Sequence, residues 1–410
     1  MDKEKLIVYT KKYWPFFAII IIIILGFYVR LIDYRWPYLR NIDSYNFYRE
    51  IEDIVNYGIL PGYNPLLLPP YGAGVPGSSG KCPPYQCFAA YSYMFYRILS
   101  PTTQLWQFLI WFPALLAALM AIPMYFIGKL LYDRKAGILA AFFVVFDISI
   151  MSRTLGGDPD SDGIVLLMPL IVIALFLFTY KYVNMKKNID KRGIIYSIIT
   201  GIALGIWGYV WAGQWFVLWL ITGFFILKII IYFLKTRKIK NVINELKYPL
   251  ISFIIIFIVY FLLTVPNLGL SFIIGSIQGP FGFGDIKSEE NREFPNVYVS
   301  VAELQNPGSI KDIIQRVSAI NFDANPIAIL VAPFFLMIYG LIYLLYSYIK
   351  TKKHLDTLIL MIIWFLGPFF ATIIAIRFSI LFSAPMAICS AIFLSKLIRF
   401  ALGVDKKFED

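Results

Sequence analysis

Long apolar runs, separated by short clusters of Lys and Arg, set the rhythm of this 410-residue chain. The runs cover residues 13–32, 105–128, 136–151, 164–180, 194–210, 215–234, 248–265, 327–349, 357–376 and 378–398. Most approach the ~20 residues that a helix needs to cross the hydrocarbon core of a bilayer. A spanning segment must satisfy its own backbone groups in lipid, and runs of this length do so as helices. The expected fold class is therefore an all-α polytopic membrane protein with about ten or more transmembrane helices. The whole of 1–410 is expected to form a single transmembrane domain, without an internal repeat or a soluble domain. Two polar segments interrupt the runs, 33–104 and 266–325. In the first, the periodicity predicts amphipathic helices over 44–57 and 88–99, lying along the membrane and separated by Pro- and Gly-rich turns. The second opens on Gly275-Ser276-Ile277-Gln278-Gly279-Pro280, and its length and glycine density predict a lid.

Composition supports the same class. Hydrophobic residues make up 59% of the chain and charged residues 15%, where a soluble domain carries roughly a quarter charged. The net charge of +12 is concentrated in loops: Lys3, Lys5, Lys11 and Lys12; Lys129, Arg134 and Lys135; Lys181, Lys186, Lys187, Lys191 and Arg192; Lys235, Arg237, Lys238, Lys240 and Lys247; Lys350, Lys352 and Lys353. If these face the cytoplasm, as the positive-inside rule requires, the apolar runs alternate consistently. The basic balance then reports topology in a cell membrane, with a cytoplasmic N-terminus and no nucleic-acid partner. The segments 33–104 and 266–325, an acidic loop at 156–163 and Arg377 fall on the extracytoplasmic face. The first apolar run spans and lacks a cleavage site, so no removable signal peptide is expected.

The acids carry the candidate chemistry. Asp158, Asp160 and Asp162 sit within Gly156-Gly157-Asp158-Pro159-Asp160-Ser161-Asp162-Gly163, between two apolar runs. An acid near a spanning helix is costly, about 2.5–3.5 kcal/mol at its centre on insertion scales, so three together call for a cation, a cavity or water. The Asp-x-Asp spacing of Asp160 and Asp162 lets two short carboxylates share one hard divalent ion. Helix capping and Asx turns are the competing explanation for this loop, but need fewer acids. Asp43, in Asn41-Ile42-Asp43-Ser44-Tyr45, reads equally as a helix cap. Glu303 alone reads as a solvated loop acid. Arg377, on the face where the charge rule disfavours cations, suggests an anionic partner. Cys82 and Cys87 lie in the outer segment, where a disulfide is permitted but not required. Cys389 belongs to an apolar run, and with His354 as the sole histidine there is no zinc signal.

Four of these pieces, in order, resemble the motifs of the oligosaccharyltransferase catalytic subunits. Ser152-Arg153-Thr154-Leu155-Gly156-Gly157-Asp158-Pro159-Asp160-Ser161-Asp162 is similar to the family's second Asp-x-Asp motif. Asn41-Ile42-Asp43 resembles its first acidic motif, Ser300-Val301-Ala302-Glu303 its external-loop glutamate element, and Arg377-Phe378 the place of its donor-phosphate arginine. The resemblance covers nearly the whole chain. It implies a type-C glycosyltransferase fold, and transfer of an oligosaccharide from a polyprenyl (pyro)phosphate to the Asn amide of Asn-x-Ser/Thr in an acceptor polypeptide. On that basis Asp43, Asp160 and Asp162 would hold Mn²⁺ or Mg²⁺, and Asp43 and Glu303 would engage the acceptor amide. Arg377 would face the leaving phosphate, and Asp158 and Arg153 would support the site. Gln214, on the aromatic turn 207–215, would line the donor path, although an ordinary interfacial aromatic belt explains that turn better. Asn41 and Ala302 are mild departures. A larger one is that the family's Trp-Trp-Asp-x-Gly motif and its external globular domain do not occur in these 410 residues. The expectation is a shortened form, a split enzyme whose partner reads the acceptor, or an inactive chain. A polyprenyl-phosphate-dependent transferase with a non-peptide acceptor and a lipid-linked sugar flippase are the competing functions. The flippase predicts acids at the bilayer midplane in paired halves, which this chain lacks.

Overall fold

The structure, a computed structural model, describes residues 3–32, 34–64, 72–74, 82–279, 307–321 and 328–404. Its helices are α1 (Lys3–Leu31), α2 (Ile42–Tyr57), α3 (Pro84–Leu99), α4 (Leu105–Leu119), α5 (Ala121–Leu131), α6 (Arg134–Val145), α7 (Ile148–Met151), α8 (Asp162–Lys186) and α9 (Lys191–Val210). There follow α10 (Trp215–Thr236), α11 (Ile239–Leu268), α12 (Leu270–Gln278), α13 (Ile310–Ser318), α14 (Ala328–Val331), α15 (Pro333–Thr351), α16 (Leu355–Ile374) and α17 (Ser383–Ala401). The fold is an all-α polytopic one. Among the described residues, nine helices are long and apolar enough to cross a membrane. The expected span over 136–151 is divided between α6 and α7. Asp147 is the physical reason: its carboxylate accepts from the backbone N–H groups of Ser149 and Ile150 at 2.9 and 3.2 Å, which starts a new helix inside the apolar run. Ser383 donates to the same oxygen at 2.8 Å.

The chain divides into two compact units, one of Met1–Ile22, Met120–Ile150 and Met168–Asp410, the other of Ile23–Leu119 and Met151–Leu167. The larger unit is a helical bundle held by small and hydroxyl-bearing residues, as expected where lipid removes the hydrophobic drive between helices. α5 and α6 touch backbone to backbone, because a Cβ on Gly137 would stand 2.6 Å from the Tyr125 carbonyl. Ser197 and Ser252 join α9 to α11 at 2.7 Å, and Thr179 and Thr200 join α8 to α9 at 3.0 Å. Asp133 caps α6 through the Ala136 N–H and lies 3.5 Å from Arg399.

The smaller unit carries the acidic loop. α2 buries Ser44, Ile51 and Ile54 on one face, and α3 buries Tyr85, Ala89, Ala90 and Tyr93. Full burial of Ile51 and Ile54 contributes about 1.5–3 kcal/mol each. Both amphipathic helices end where the periodicity predicts, at Tyr57 and Leu99, and begin earlier, at Ile42 and Pro84. Pro84 serves as a first-turn proline, a position that needs no N–H partner. Between them Tyr63–Asn64 pairs antiparallel with Ala73–Gly74. Cys82 and Cys87 are joined as a disulfide, with Cα atoms 5.8 Å apart. The glycine-rich start of the expected lid is instead helical, since α12 runs to Gln278, and 280–306, with the Ser300–Glu303 motif, lie outside the described residues.

Candidate functional site

Backbone bonds fix the acidic loop before any side chain acts. The Gly156 N–H donates to the Arg30 carbonyl at 3.0 Å, the Gly157 N–H to Ile110 at 2.8 Å, and the Arg40 N–H to the Gly157 carbonyl at 2.7 Å. Gly157 has φ +80, and a Cβ there would fall 2.2 Å from the Tyr34 ring. Both facts require glycine. Beneath the loop, the Arg30 side chain is 1% exposed. Its Nε donates to Thr154 Oγ1 and its Nη1 to the Gly26 carbonyl, both at 2.9 Å.

The first and second acidic motifs meet at Asp158. Its Oδ1 accepts from Asn41 Nδ2 at 2.9 Å and from Ser44 Oγ at 2.8 Å. Asn41 is also the N-cap of α2, its Oδ1 accepting from the Ser44 N–H at 2.8 Å. The cap is therefore Asn41, and Asp43 is left exposed in the first turn of the helix. Tyr85, buried against Phe47 at 5.7 Å between ring centres, donates its hydroxyl to the Pro159 carbonyl at 2.8 Å. Asp160 turns back on Ser161, accepting from its hydroxyl at 3.1 Å. Asp162 opens α8 and faces Arg153 at 3.5 Å.

These acids repel one another. Burial pushes the Asp158 carboxyl above the usual carboxylate range, the Ser44 hydrogen bond opposes the rise, and the charge of Asp160 adds to it. Burial also raises the Tyr85 phenol, with Asp160, Asp158 and Asp162 adding to the effect in that order. Among the described residues no three acid, His or Cys side chains converge as a ready metal cluster. The donor chemistry nevertheless suits a hard divalent cation: Asp160 and Asp162 offer carboxylate oxygens on either side of Ser161, and Arg153 is the basic residue paired with Asp162.

The remaining expected residues are placed separately. Glu303 lies outside the described residues. Arg377 is exposed in the 3₁₀ turn Ile376–Phe382 of the larger unit. Gln214, in the same unit, is fully buried. Its Nε2 donates to Tyr260 Oη at 2.8 Å and to Ser276 Oγ, while its carbonyl oxygen meets no donor among the described residues. Four residues that matter to the loop were not singled out from sequence: Arg30, Ser44, Tyr85 and Thr154. Only Ser44 had a readable signal, the Asn-x-x-Ser spacing of a capped helix start.

A family model described as "Oligosaccharyl transferase STT3, N-terminal" matches residues 15–407. Over 88% of its length the chain is 24% identical to a dolichyl-phosphooligosaccharide-protein glycotransferase of Methanocaldococcus jannaschii, covering 46% of that protein. A Methanococcus voltae protein of the same name is 22% identical over 91% of the chain, with 43% of its own length covered. The chain thus spans about half the length of the curated relatives it matches. Among solved structures, the archaeal oligosaccharyltransferase AglB from Archaeoglobus fulgidus, in complex with an inhibitory peptide and a dolichol-phosphate, superposes with a TM-score of 0.69. That match has 19% identity and covers 96% of this chain and 51% of AglB.

Proposed function

Because the chain belongs to the oligosaccharyltransferase STT3 family, we propose that it transfers an oligosaccharide from a polyprenyl (pyro)phosphate to the side-chain amide of Asn in Asn-x-Ser/Thr, with a divalent cation. The observation that carries this reading is the joining of the two acidic motifs, Asp158 accepting from both Asn41 and Ser44. Support also comes from AglB of A. fulgidus, solved with a tethered acceptor peptide containing the NVT sequon and, separately, with Zn and sulfate. Those ligands belong to AglB; here they motivate the substrate classes. The proposed setting is a cell membrane, with the N-terminus cytoplasmic and the acidic loop on the extracytoplasmic face.

In this reading the amide nitrogen attacks the anomeric carbon. The bond from that carbon to the phosphate oxygen breaks, the polyprenyl (pyro)phosphate leaves, and one amide proton passes to the carboxylate of Asp43 or Glu303 that accepts it. An amide nitrogen is a weak nucleophile because its lone pair is delocalised into the carbonyl. Asp43 and Glu303, each accepting one amide hydrogen, would twist the amide out of that resonance, using binding energy realised in the transition state. Asp43, Asp160 and Asp162 would hold Mn²⁺ or Mg²⁺, which when bound offsets the charge that develops on the phosphate. Arg377 would contribute a second cation toward the same oxygens. Arg153 and Asp158 keep the loop in register, through Asp162 on one side and α2 on the other.

The test is transfer of labelled glycan from a polyprenyl-linked donor to an Asn-x-Thr peptide by reconstituted protein. Transfer is expected to need Mn²⁺ or Mg²⁺ and to disappear in Asp160→Ala and Glu303→Ala. Metal-independent transfer, or movement of the lipid-linked sugar across vesicles with no peptide product, would replace this reading.

A further inference from the structure

The larger unit holds a cavity of about 620 Å³ where α8, α10 and α15 end and α16 begins. That volume lies within the range of roughly 300–1,000 Å³ in which proteins take small ligands. Its walls are of two kinds. Leu177, Phe224 and Ile231 give it an apolar side, while Lys181, Lys235, Lys352 and His354 bring basic side chains to its lining.

A fourth lysine, behind Tyr180 and Asp356 of the lining, is paired with a carboxylate. Lys228, 2% exposed, lies 2.9 Å from Asp356 through its ammonium and also donates to the Tyr180 hydroxyl. The Tyr180 hydroxyl in turn donates to Asp356 at 2.7 Å. The rings of Tyr180 and Tyr232 stand 4.8 and 5.6 Å from the same ammonium. Asp356, the carboxylate lining this cavity, is therefore occupied by Lys228. Among the described residues neither Lys181 nor Lys235 has a salt-bridge partner, and Lys352 has only the Tyr348 ring, 5.3 Å from its ammonium. Positive charge is in surplus here, as burial and the charges of Lys181 and Lys353 together hold the His354 imidazole below its ordinary value.

Three lysines without a salt-bridge partner, Asp356 reaching Lys181 only through its charge, stand against an apolar wall in a membrane-spanning bundle and match an amphiphile with an anionic head. The geometry points to a binding site for an anionic lipid, whose phosphate is held by Lys181, Lys235 and Lys352 and whose first methylenes lie along Leu177, Phe224 and Ile231. The shared chemistry is a phosphate anion; the apolar wall assigns it to a lipid and not to free phosphate. The site does not depend on the transfer reaction proposed above.

Competitive retention of phosphatidylglycerol and phosphatidylcholine by the purified full chain, read by native mass spectrometry, tests it. The protein is expected to retain phosphatidylglycerol preferentially, and inorganic phosphate in millimolar excess is expected to leave it bound. The triple variant Lys181→Gln, Lys235→Gln, Lys352→Gln is expected to lower the preference tenfold or more, since each lysine near an anionic headgroup contributes roughly fivefold. Ile231→Trp, which fills the cavity and leaves every charge in place, is expected to reduce phosphatidylglycerol retention as well. Equal retention of the two lipids by the unmodified protein would overturn the site. So would an unchanged preference in the triple variant, unchanged phosphatidylglycerol retention in Ile231→Trp, or release of the lipid by inorganic phosphate alone.

Discussion

The acidic loop of the smaller unit and the basic cavity of the larger one are opposite in sign and alike in their imbalance. In the loop, Asp158, Asp160 and Asp162 crowd together, with Asp162 facing Arg153 and Asp158 held by neutral donors. In the cavity lining, Lys181, Lys235 and Lys352 outnumber Asp356, which lies 2.9 Å from Lys228. Elsewhere in the larger unit Asp133 lies 3.5 Å from Arg399 and joins two helices. The difference separates two uses of ionisable groups in a membrane protein. Paired charges hold helices together, whereas a local surplus of one sign is tolerated where a ligand of the other sign completes it.

The comparison breaks most sharply if the loop's support is removed. Arg30→Met takes away two hydrogen bonds from a buried guanidinium, which contribute about 1.5–3 kcal/mol apiece when a charged group is involved. Thermal unfolding followed by intrinsic fluorescence should show a fall of several degrees, with transfer lost alongside it. An unchanged melting temperature would mean that Thr154 holds the loop without Arg30.

A smaller effect is expected at the link between the motifs. Ser44→Ala removes one donor from Asp158, and a hydrogen bond to a carboxylate is worth about 1.5–3 kcal/mol. Transfer should drop by about tenfold, with the fold retained by circular dichroism. Loss of Ser44 should also move the Asp158 carboxyl further up, since that hydrogen bond now opposes the rise.

The smallest change sharpens the sign of the imbalance. The folded-state pKa of Asp158 is raised above its ordinary value by burial. The stabilisation from this group is therefore complete below the unfolded value and lost as pH climbs through the raised folded value. At neutral pH the ionised carboxylate opposes folding. Asp158→Asn should consequently raise the melting temperature slightly at pH 7 in metal-free buffer, and the gain should vanish in acid. A gain of the same size in acid would show that desolvated charge is not its source.

Much of this architecture could be read from the chain itself, for identifiable reasons. Run length located the nine long helices among the described residues, and the period of α2 and α3 located both surface helices, with the buried stripe of Ile51 and Ile54 facing inward. The acids of the loop stood out because their neighbours are apolar. What escaped was set by contacts between distant residues. Asn41 looked like a weakened motif position, yet it caps α2 and holds Asp158 across 117 positions of sequence. Arg30, near the end of the first apolar run, carried no signal of its own, and only the fold shows it buried and bonded to Thr154. Asp147, one acid in an apolar run, splits a helix because its carboxylate satisfies backbone donors that a continuous helix would have used internally.

The most direct measurement is titration of the metal-free protein with Mn²⁺, followed by electron paramagnetic resonance of the free ion. One saturable site is expected in the unmodified chain, with its loss in the double variant Asp160→Asn, Asp162→Asn and helix content retained by circular dichroism. Saturable binding that survives in that variant, or none in the unmodified protein, would contradict it.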